Sequence, residues 1–265
     1  MYSALQLSKK FVNYYLFASN GKGHGVHSPF VFDFIIHVLN DKKKYEPFSE
    51  IEAIRTQLLK NNTTIEVEDF GAGSAVIPFK NRKVKDIAGS SLKKIKYAQL
   101  LFRIARYYHA KNIVELGTSF GISACYLASA HSDSKVFTFE GAKNIAKIAR
   151  QNFEILQLKN IELIEGNFEK TLPAIKERIE KIDLLFIDGN HRKKATLDYF
   201  EFFLKKSTTD SIFIFDDIHW SKEMEEAWKI IQQHESVTLT IDLFFIGLVF
   251  FSHDFKVKQH FTIRF

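Results

Sequence analysis

The amino-acid sequence predicts an α/β fold with a mostly parallel sheet, and three observations carry the prediction. From Ile113 onward, short apolar runs alternate with amphipathic segments of helical length, which is typical of βαβ units. A glycine-bearing turn, residues 117–121, joins the first apolar run to a helical segment. The last two apolar runs are separated by a short gap, which indicates an antiparallel hairpin. The expected architecture is five parallel strands followed by a terminal hairpin.

The first ninety residues are expected to form a mainly helical extension (1–90), and residues 91–265 a single α/β domain. Ser28 before Pro29 predicts a helix start, because serine caps free backbone N–H groups and proline fits the first helical position. Ser90 or Ser91 is the expected cap of the helix that leads into the first strand.

A second glycine-rich stretch, residues 66–74, also reads like a strand that enters a turn. It is followed by Pro78 and basic residues, and no further strand ends in an acid at the required distance. We therefore expect this stretch to form a loop.

Each apolar run and each helical pattern has a defined place along the chain. The predicted strands are residues 112–116, 135–140, 160–164, 182–187 and 211–215. The predicted helices lie near residues 121–131, 143–157, 170–180 and 192–206. The hairpin is expected from residues 236–243 and 246–252, at the edge of the sheet.

Length and composition indicate a globular chain. With 265 residues, 46% of them apolar and 26% charged, the chain can bury one sizeable core. No apolar run reaches the roughly 18–20 residues of a membrane span, and the first residues lack a signal pattern, so we expect a cytoplasmic protein. The single cysteine, Cys125, excludes an internal disulfide and is expected to pack in the core.

The positive charge is concentrated in the first part of the chain. Residues 1–100 hold 15 Lys and Arg against 9 Asp and Glu, whereas residues 101–265 hold 22 of each. The excess lies partly in residues 80–85 and 93–96, which suit an acidic substrate, nucleic acid or an anionic membrane surface. A solvated surface is the interpretation we favour, since no aromatic residues alternate with these lysines.

The turn at residues 117–121 indicates a nucleotide-type pocket. Glu140 ends the next apolar run, nineteen positions after Gly121, and such a carboxylate can accept hydrogen bonds from both hydroxyl groups of a ribose. The middle glycine of a dinucleotide fingerprint is missing, so Thr118 and Ser119 stand where a pyrophosphate needs bare backbone. An adenosine ligand without a pyrophosphate fits better than NAD or FAD.

Acidic residues also follow the fourth and fifth predicted strands. Asp188 ends one strand, with His191 three residues later, and Asp216 and Asp217 end the other. Because ligands of open α/β sheets bind at the carboxyl ends of the strands, we expect these acids to converge. Clustered carboxylates repel one another, and a hard cation such as Mg²⁺ relieves the repulsion.

These motifs resemble those of a known enzyme family. Glu115-x-Gly117-x-x-x-Gly121 followed by Glu140 resembles the first two motifs of class I S-adenosylmethionine-dependent methyltransferases. Asp-Gly-Asn-His at 188–191, with paired acids after the next strand, resembles the metal-dependent O-methyltransferases of the catechol, macrocin and cephalosporin-biosynthesis type. The resemblance covers roughly residues 100–250 and implies a Rossmann-like, seven-stranded methyltransferase sheet.

The resemblance also implies a set of site residues. S-adenosylmethionine is expected to contact Glu115, Gly117, Thr118, Ser119, Gly121, Ile122, Glu140, Gly141, Asn167, Phe168 and Asp188, with Asn167 and Phe168 next to the adenine. A cation such as Mg²⁺ is expected on Asp188, Asp216 and Asp217. His191 is the candidate base, with Asp188 beside it, for transfer of a methyl group to a hydroxyl oxygen.

Three functions stay open at this point. O-methylation of a small molecule is favoured. Methylation of a nucleic-acid base competes with it, although enzymes of that kind usually carry Asn/Asp-Pro-Pro-aromatic after strand four, where this chain has Asp-Gly-Asn-His. A non-catalytic scaffold that keeps the fold is the third. A homodimer formed by the N-terminal helices is a further hypothesis.

Overall fold

A computed structural model describes residues 1–69 and 77–265 of the chain. The helices are α1 (Ala4–Phe17), α2 (Pro29–Phe34), α3 (Pro47–Lys60), α4 (Val84–Ser91), α5 (Ile95–Tyr107), α6 (Ile122–Ala128), α7 (Lys143–Ile155), α8 (Phe168–Ile175), α9 (Lys193–Leu204) and α10 (Lys222–Gln233). A π-helical turn (Ile35–Leu39) follows α2, and a 3₁₀ turn (Lys176–Arg178) follows α8. The strands are β1 (Thr64–Asp69), β2 (Ile77–Lys83), β3 (Asn112–Leu116), β4 (Lys135–Glu140), β5 (Ile161–Glu165), β6 (Ile182–Ile187), β7 (Ser207–Asp216), β8 (Leu239–Asp242), β9 (Ile246–Phe250) and β10 (Gln259–Thr262).

The chain forms two compact units. Unit 1 consists of residues 1–41 and 181–265, and unit 2 consists of residues 42–180. The predicted boundary at residue 90 stays a prediction. No helix in the described part of the chain is long and apolar enough to cross a membrane.

Unit 2 contains three parallel strands in the order β3-β4-β5. Ile113 pairs with Val136, and Val136 in turn pairs with Ile161. Helix α6 is buried along its whole length, since its small and apolar residues allow close packing. The strands begin and end within one residue of the predicted positions, because alternating apolar runs between helical patterns are a strong signal.

A hairpin lies where the sequence predicts a loop. Residues Thr64–Asp69 and Ile77–Lys83 pair as antiparallel strands β1 and β2, so the loop prediction is wrong for residues 66–69. Residues 70–74 of that prediction lie outside the described residues. Thr64, Ile65 and Val67 favour an extended backbone, in agreement with the strand-like pattern that the sequence shows from residue 66.

The expected serine cap before the first strand is also wrong. Ser90 and Ser91 end helix α4, and their hydroxyl groups donate to the carbonyl oxygen of Ile87 within that helix. Helix α5 starts only at Ile95, after Lys94, without a side-chain cap. By contrast, the predicted cap at Ser28 is confirmed, since its side chain accepts a hydrogen bond from the N–H of Val31 at the start of helix α2.

Unit 1 contains strands in the order β10-β8-β9-β7-β6. Strands β6 and β7 are parallel, and β8 and β9 form the predicted antiparallel hairpin. The hairpin is not at the edge of the sheet, because β9 pairs with β7 and the unpredicted strand β10 pairs with β8 on the outer side. Only four residues form β10, which is too short for a clear periodic signal.

Candidate active site

The turn between β3 and α6 adopts a backbone that glycine favours. Gly117 and Gly121 have φ values of 102° and 83°, in the left-handed region. A Cβ atom on Gly121 would lie 2.7 Å from Cζ of Phe153 and closer still to Cε1 of the same ring. The turn is therefore shaped both by its backbone dihedral angles and by the close approach of α7.

Glu140 fixes this turn from the end of the neighbouring strand. Its Oε2 atom accepts a hydrogen bond from the backbone N–H of Ser119 (2.8 Å), and its Oε1 atom accepts one from the N–H of Ala142 (2.9 Å). Burial raises the pKa of Glu140, and these backbone donors oppose the shift. The carboxylate that the sequence assigns to a ribose is thus also a positioning group for the turn.

The Glu115 side chain belongs to a buried chain of hydrogen bonds inside unit 2. Its Oε2 atom accepts from the Thr138 hydroxyl (2.5 Å), which also contacts the Thr118 hydroxyl (2.5 Å). Oε1 of Glu115 is buried and has no hydrogen-bond partner among the described residues. Burial raises the pKa of Glu115 to about 7. The hydroxyl groups of Ser123 and Thr138 act in the opposite direction and lower this pKa.

The remaining predicted cofactor residues lie in or beside the same turns. Thr118 and Ile122 are buried, so their side chains face the interior of unit 2. The Ser119 hydroxyl lies 2.8 Å from that of Ser91. Asn167 caps helix α8, accepting from the N–H of Glu169 (2.8 Å). Its role toward adenine, like that of Phe168 and Gly141, stays a prediction.

In unit 1 the structure brings Asp188, His191 and Asp216 together. Each offers one ligand atom, and these atoms all lie within 4.8 Å of one another. Asp216 is buried at the end of β7, and His191 Nε2 lies 3.6 Å from Asp188 Oδ1. This group differs from the predicted set, because His191 belongs to it and Asp217 does not.

Asp217 lies outside the group of Asp188, His191 and Asp216 because the chain turns directly after β7. Its φ angle is 53°, and its N–H donates to the carbonyl oxygen of Phe245 (2.6 Å). The backbone leaves the extended conformation at Asp217, so the alternation of side chains along β7 ends at Asp216. The sequence could not show which of the two acids faces Asp188.

Sequence reasoning missed one supporting residue and one special backbone position. Thr138 on β4 joins Glu115 to Thr118 through its hydroxyl group, and Asn190 in the turn after β6 has a φ of 54°. The signal for Asn190 was present, since asparagine tolerates the left-handed backbone better than most residues. A hydroxyl in the middle of an apolar strand was the available signal for Thr138.

His219 and Trp220 have separate roles. The two ring nitrogens of His219 lie 2.7 Å from Asp242 Oδ2 and 3.1 Å from Glu225 Oε1. The Trp220 ring lies 5.7 Å from the ring of His191. His219 is therefore a packing and ion-pairing residue, whereas Trp220 borders the Asp188–His191–Asp216 group.

Comparison with known proteins shows what part of the chain resembles a known domain. A family model described as a methyltransferase domain matches residues 114–218, which include the glycine turn and end just after Asp217. Residues 114–218 therefore match a methyltransferase domain. The matched range includes Glu115, Glu140, Asp188 and Asp216.

Individual relatives of the methyltransferase domain are distant. An O-methyltransferase of Aspergillus flavus, imqG, is 28% identical over 114 residues, which cover 41% of this chain and 45% of that protein. A catechol O-methyltransferase of Niastella koreensis is 29% identical over 126 residues, covering 46% of this chain and 55% of that protein. The chain thus matches about half the length of these curated relatives.

The fold of nearly the whole chain is similar to that of a solved structure. The S-adenosylhomocysteine-bound methyltransferase PaMTH1 of Podospora anserina superposes with a TM-score of 0.59 over 95% of this chain and 98% of that one. The two sequences are 14% identical, so the likeness concerns the fold alone. It confirms the Rossmann-like α/β class that the sequence predicts.

Proposed function

We propose that this chain transfers the methyl group of S-adenosylmethionine to a hydroxyl oxygen of a small molecule, with the help of a divalent cation. The observation that carries the proposal is the turn at Gly117–Gly121, held by Glu140 through the N–H of Ser119. When bound, the cofactor would supply the methyl group from its sulfonium centre, and the cation would polarise the acceptor hydroxyl.

The residues of unit 2 fit an S-adenosyl ligand. The buried Glu115 Oε1 atom has no partner among the described residues, and such an acceptor suits the ammonium group at the methionine end of the cofactor. The Glu140 carboxylate is held at the end of β4 and keeps lone pairs for ribose hydroxyl groups. A cofactor ammonium next to Glu115 would favour the ionised carboxylate, opposing the effect of burial on its pKa.

The group in unit 1 fits a divalent cation. Asp188 and Asp216 offer carboxylate oxygens, which hard cations such as Mg²⁺ prefer. An imidazole in the same group also suits Mn²⁺ and other first-row transition ions. Two carboxylates this close repel each other, so a cation would relieve a cost that the protein otherwise bears.

His191 is the proposed base. Its Nε2 atom lies 3.6 Å from Asp188 Oδ1, beyond an ordinary hydrogen bond, and the ring packs beside Trp220. A neutral imidazole in this position can accept the proton that the acceptor hydroxyl releases, while Asp188 and Asp216 hold the cation. The alternative, in which His191 binds the cation itself, predicts that removing the imidazole weakens metal binding.

The proposed acceptor class comes from the relatives. Both are O-methyltransferases, and one acts on catechols by its name. A catechol offers two adjacent hydroxyl groups, which can chelate a cation held by two carboxylates. Catechols are therefore the first acceptors to test.

Calorimetric titration with S-adenosylhomocysteine tests the cofactor. Wild-type protein should bind with micromolar affinity, and Glu140→Ala should lose roughly tenfold or more, since a charge-assisted hydrogen bond and the order of the turn are removed. Glu154→Ala, an exposed acid on α7, is the matched control and should bind like wild type. Absence of binding by the wild-type protein would refute the proposal.

The metal step has its own assay. Release of S-adenosylhomocysteine in the presence of catechol should depend on Mg²⁺ or Mn²⁺ and stop with EDTA. His191→Asn should bind Mn²⁺ like wild type, by electron paramagnetic resonance, yet transfer methyl groups about a hundredfold more slowly. Weakened Mn²⁺ binding in this variant would instead make His191 a ligand, and cofactor binding without metal dependence would remove the cation from the proposal.

A further inference from the structure

Helix α1 is apolar on both of its faces. On the inner face, Phe11 and Tyr14 pack against Phe244 within unit 1, with ring centroids 5.1 and 5.2 Å away. On the outer face, Leu5 exposes 81%, Val12 56% and Leu16 66% of their surface. Exposed apolar side chains that cluster on one surface often mark a site that binds a partner or a membrane. The outer side of α1 carries such apolar side chains beside the exposed polar residues Ser8 and Lys9.

The outer apolar residues form a stripe that the exposed residues Ser8 and Lys9 interrupt between Leu5 and Val12. Leu5, Val12 and Leu16 are separated by seven and four positions, so their side chains lie on one line along the helix. Met1 and Phe17 extend the patch with exposures of 83% and 80%. Six of the fourteen large exposed apolar side chains in the described part of the chain lie within residues 1–17, which marks this surface as one that binds something.

The charged residues that α1 and its flanking segments themselves carry are all basic, although Glu225 of α10 lies beside Lys10. Residues 1–32 contain Lys9, Lys10 and Lys22 and no acidic residue. Lys10 is paired with Glu225 (2.9 Å), whereas Lys9 and Lys22 are exposed. The Arg264 guanidinium lies over the exposed ring of Tyr15, 4.5 Å from its centroid, which places a further cation beside the apolar face.

We propose that α1 lies in the plane of an anionic membrane surface, with the stripe Leu5–Val12–Leu16 among the acyl chains. Amphipathic segments of this kind bind by buried apolar area together with the attraction of basic residues to acidic lipids. A second copy of the chain fits less well, because α1 carries no acid to pair with Lys9 of a partner. Charge complementarity thus selects the lipid surface.

Vesicle co-sedimentation of the full chain tests the proposal. Wild-type protein should sediment with phosphatidylcholine vesicles that contain 30% phosphatidylglycerol, and bind about tenfold or more weakly to pure phosphatidylcholine. The triple variant Leu5→Ser, Val12→Ser, Leu16→Ser should bind about a thousandfold more weakly, since each apolar side chain contributes about tenfold.

The matched control removes apolar side chains that are exposed elsewhere. The triple variant Leu59→Ser, Ile155→Ser, Ile230→Ser changes one exposed position on each of α3, α7 and α10, and it should bind vesicles like wild type. Circular dichroism and thermal unfolding verify that both triple variants fold. Lys9→Glu should weaken binding to the anionic vesicles but not to neutral ones.

Three results would overturn the proposal. These are no sedimentation of the wild-type protein with either vesicle, equal loss of binding in both triple variants, and a wild-type dimer in light scattering that the α1 variant alone converts to monomer. The last result would assign the stripe to a second copy of the chain. None of these outcomes depends on cofactor binding or methyl transfer, so the proposal stands apart from the proposed function.

Discussion

Replacing Gly121 with alanine should destabilise unit 2 by roughly 2–4 kcal/mol, the sum of two separate costs. A left-handed backbone angle of 83° costs an alanine about 1 kcal/mol relative to glycine. The new Cβ would lie 2.7 Å from Cζ of Phe153 and 3.3 Å from Cβ of Ala149, and overpacking of this kind costs about 1–3 kcal/mol. For a chain of this size we expect a fall in Tm of roughly 4–12 °C.

Gly89→Ala is the matched control. Gly89 lies in helix α4 of the same unit, and a Cβ atom there meets nothing within 4 Å. Because alanine favours the helix, this variant should be unchanged or more stable by up to about 1 kcal/mol. Differential scanning calorimetry of both variants provides the comparison. A Gly121→Ala variant within about 0.5 kcal/mol of Gly89→Ala would refute the reasoning.

A double-mutant cycle separates the two costs. In the Gly121→Ala background, Phe153→Leu removes the ring that obstructs the new methyl group, so it should recover most of the packing cost. The backbone cost of about 1 kcal/mol should remain. If Phe153→Leu destabilises both backgrounds equally, the ring does not obstruct the methyl group and the turn has moved instead.

Other positions give equally direct tests. Burial raises the pKa of Glu115 from 4.5 to about 7, so the contribution of this group to the stability of the wild-type protein is fully present below pH 4.5 and is lost as the pH rises through 7. The Glu115→Gln variant does not ionise at this position. Its free energy of unfolding in urea, relative to that of wild type, should therefore rise by about 3 kcal/mol between pH 4.5 and pH 7. Asp188→Asn should lose Mn²⁺ binding in electron paramagnetic resonance, whereas Asp217→Asn should keep it. Gly247→Ala should lower Tm by roughly 2–8 °C, because its Cβ would lie 2.5 Å from a tryptophan ring.

Each of these tests has a contradicting result. A stability difference between Glu115→Gln and wild type that does not change with pH would show that the carboxyl group titrates normally in the folded chain. Equal Mn²⁺ binding in the Asp188 and Asp217 variants would remove the distinction between these acids. A Gly247→Ala variant as stable as wild type would show that the ring moves aside at little cost.

The sequence revealed best those elements whose signal is periodic. Strands such as residues 135–140 and 182–187 lie at the predicted positions, because an apolar run between two helices has few alternative structures. Helix α10 was not predicted, although Ser221 caps it and Met224, Trp228 and Ile231 share its buried face. Its apolar residues are separated by charged and amide side chains, so the run is less apolar than the neighbouring strands.

The candidate site was predictable in part. Acids at strand ends identified Asp188 and Asp216, because the edge of a parallel sheet collects ligand-binding groups. Which of two consecutive acids faces the group depends on a backbone turn at Asp217, and that turn follows from the pairing of its N–H with Phe245. Long-range pairing of this kind leaves no local trace in the sequence.

The non-contiguous composition of unit 1 has a consequence for synthesis of the chain. Residues 1–41 leave the ribosome first, but Phe11 and Tyr14 find their partner Phe244 only after the 139 residues of unit 2 (42–180) and most of the rest have been made. At about 5–20 residues per second, those 139 residues alone take roughly 7–28 s. During this interval both faces of the first helix are uncovered in the nascent chain. All residues of unit 2 emerge before residue 181, so the contacts within that unit can form earlier than the contact of α1 with Phe244.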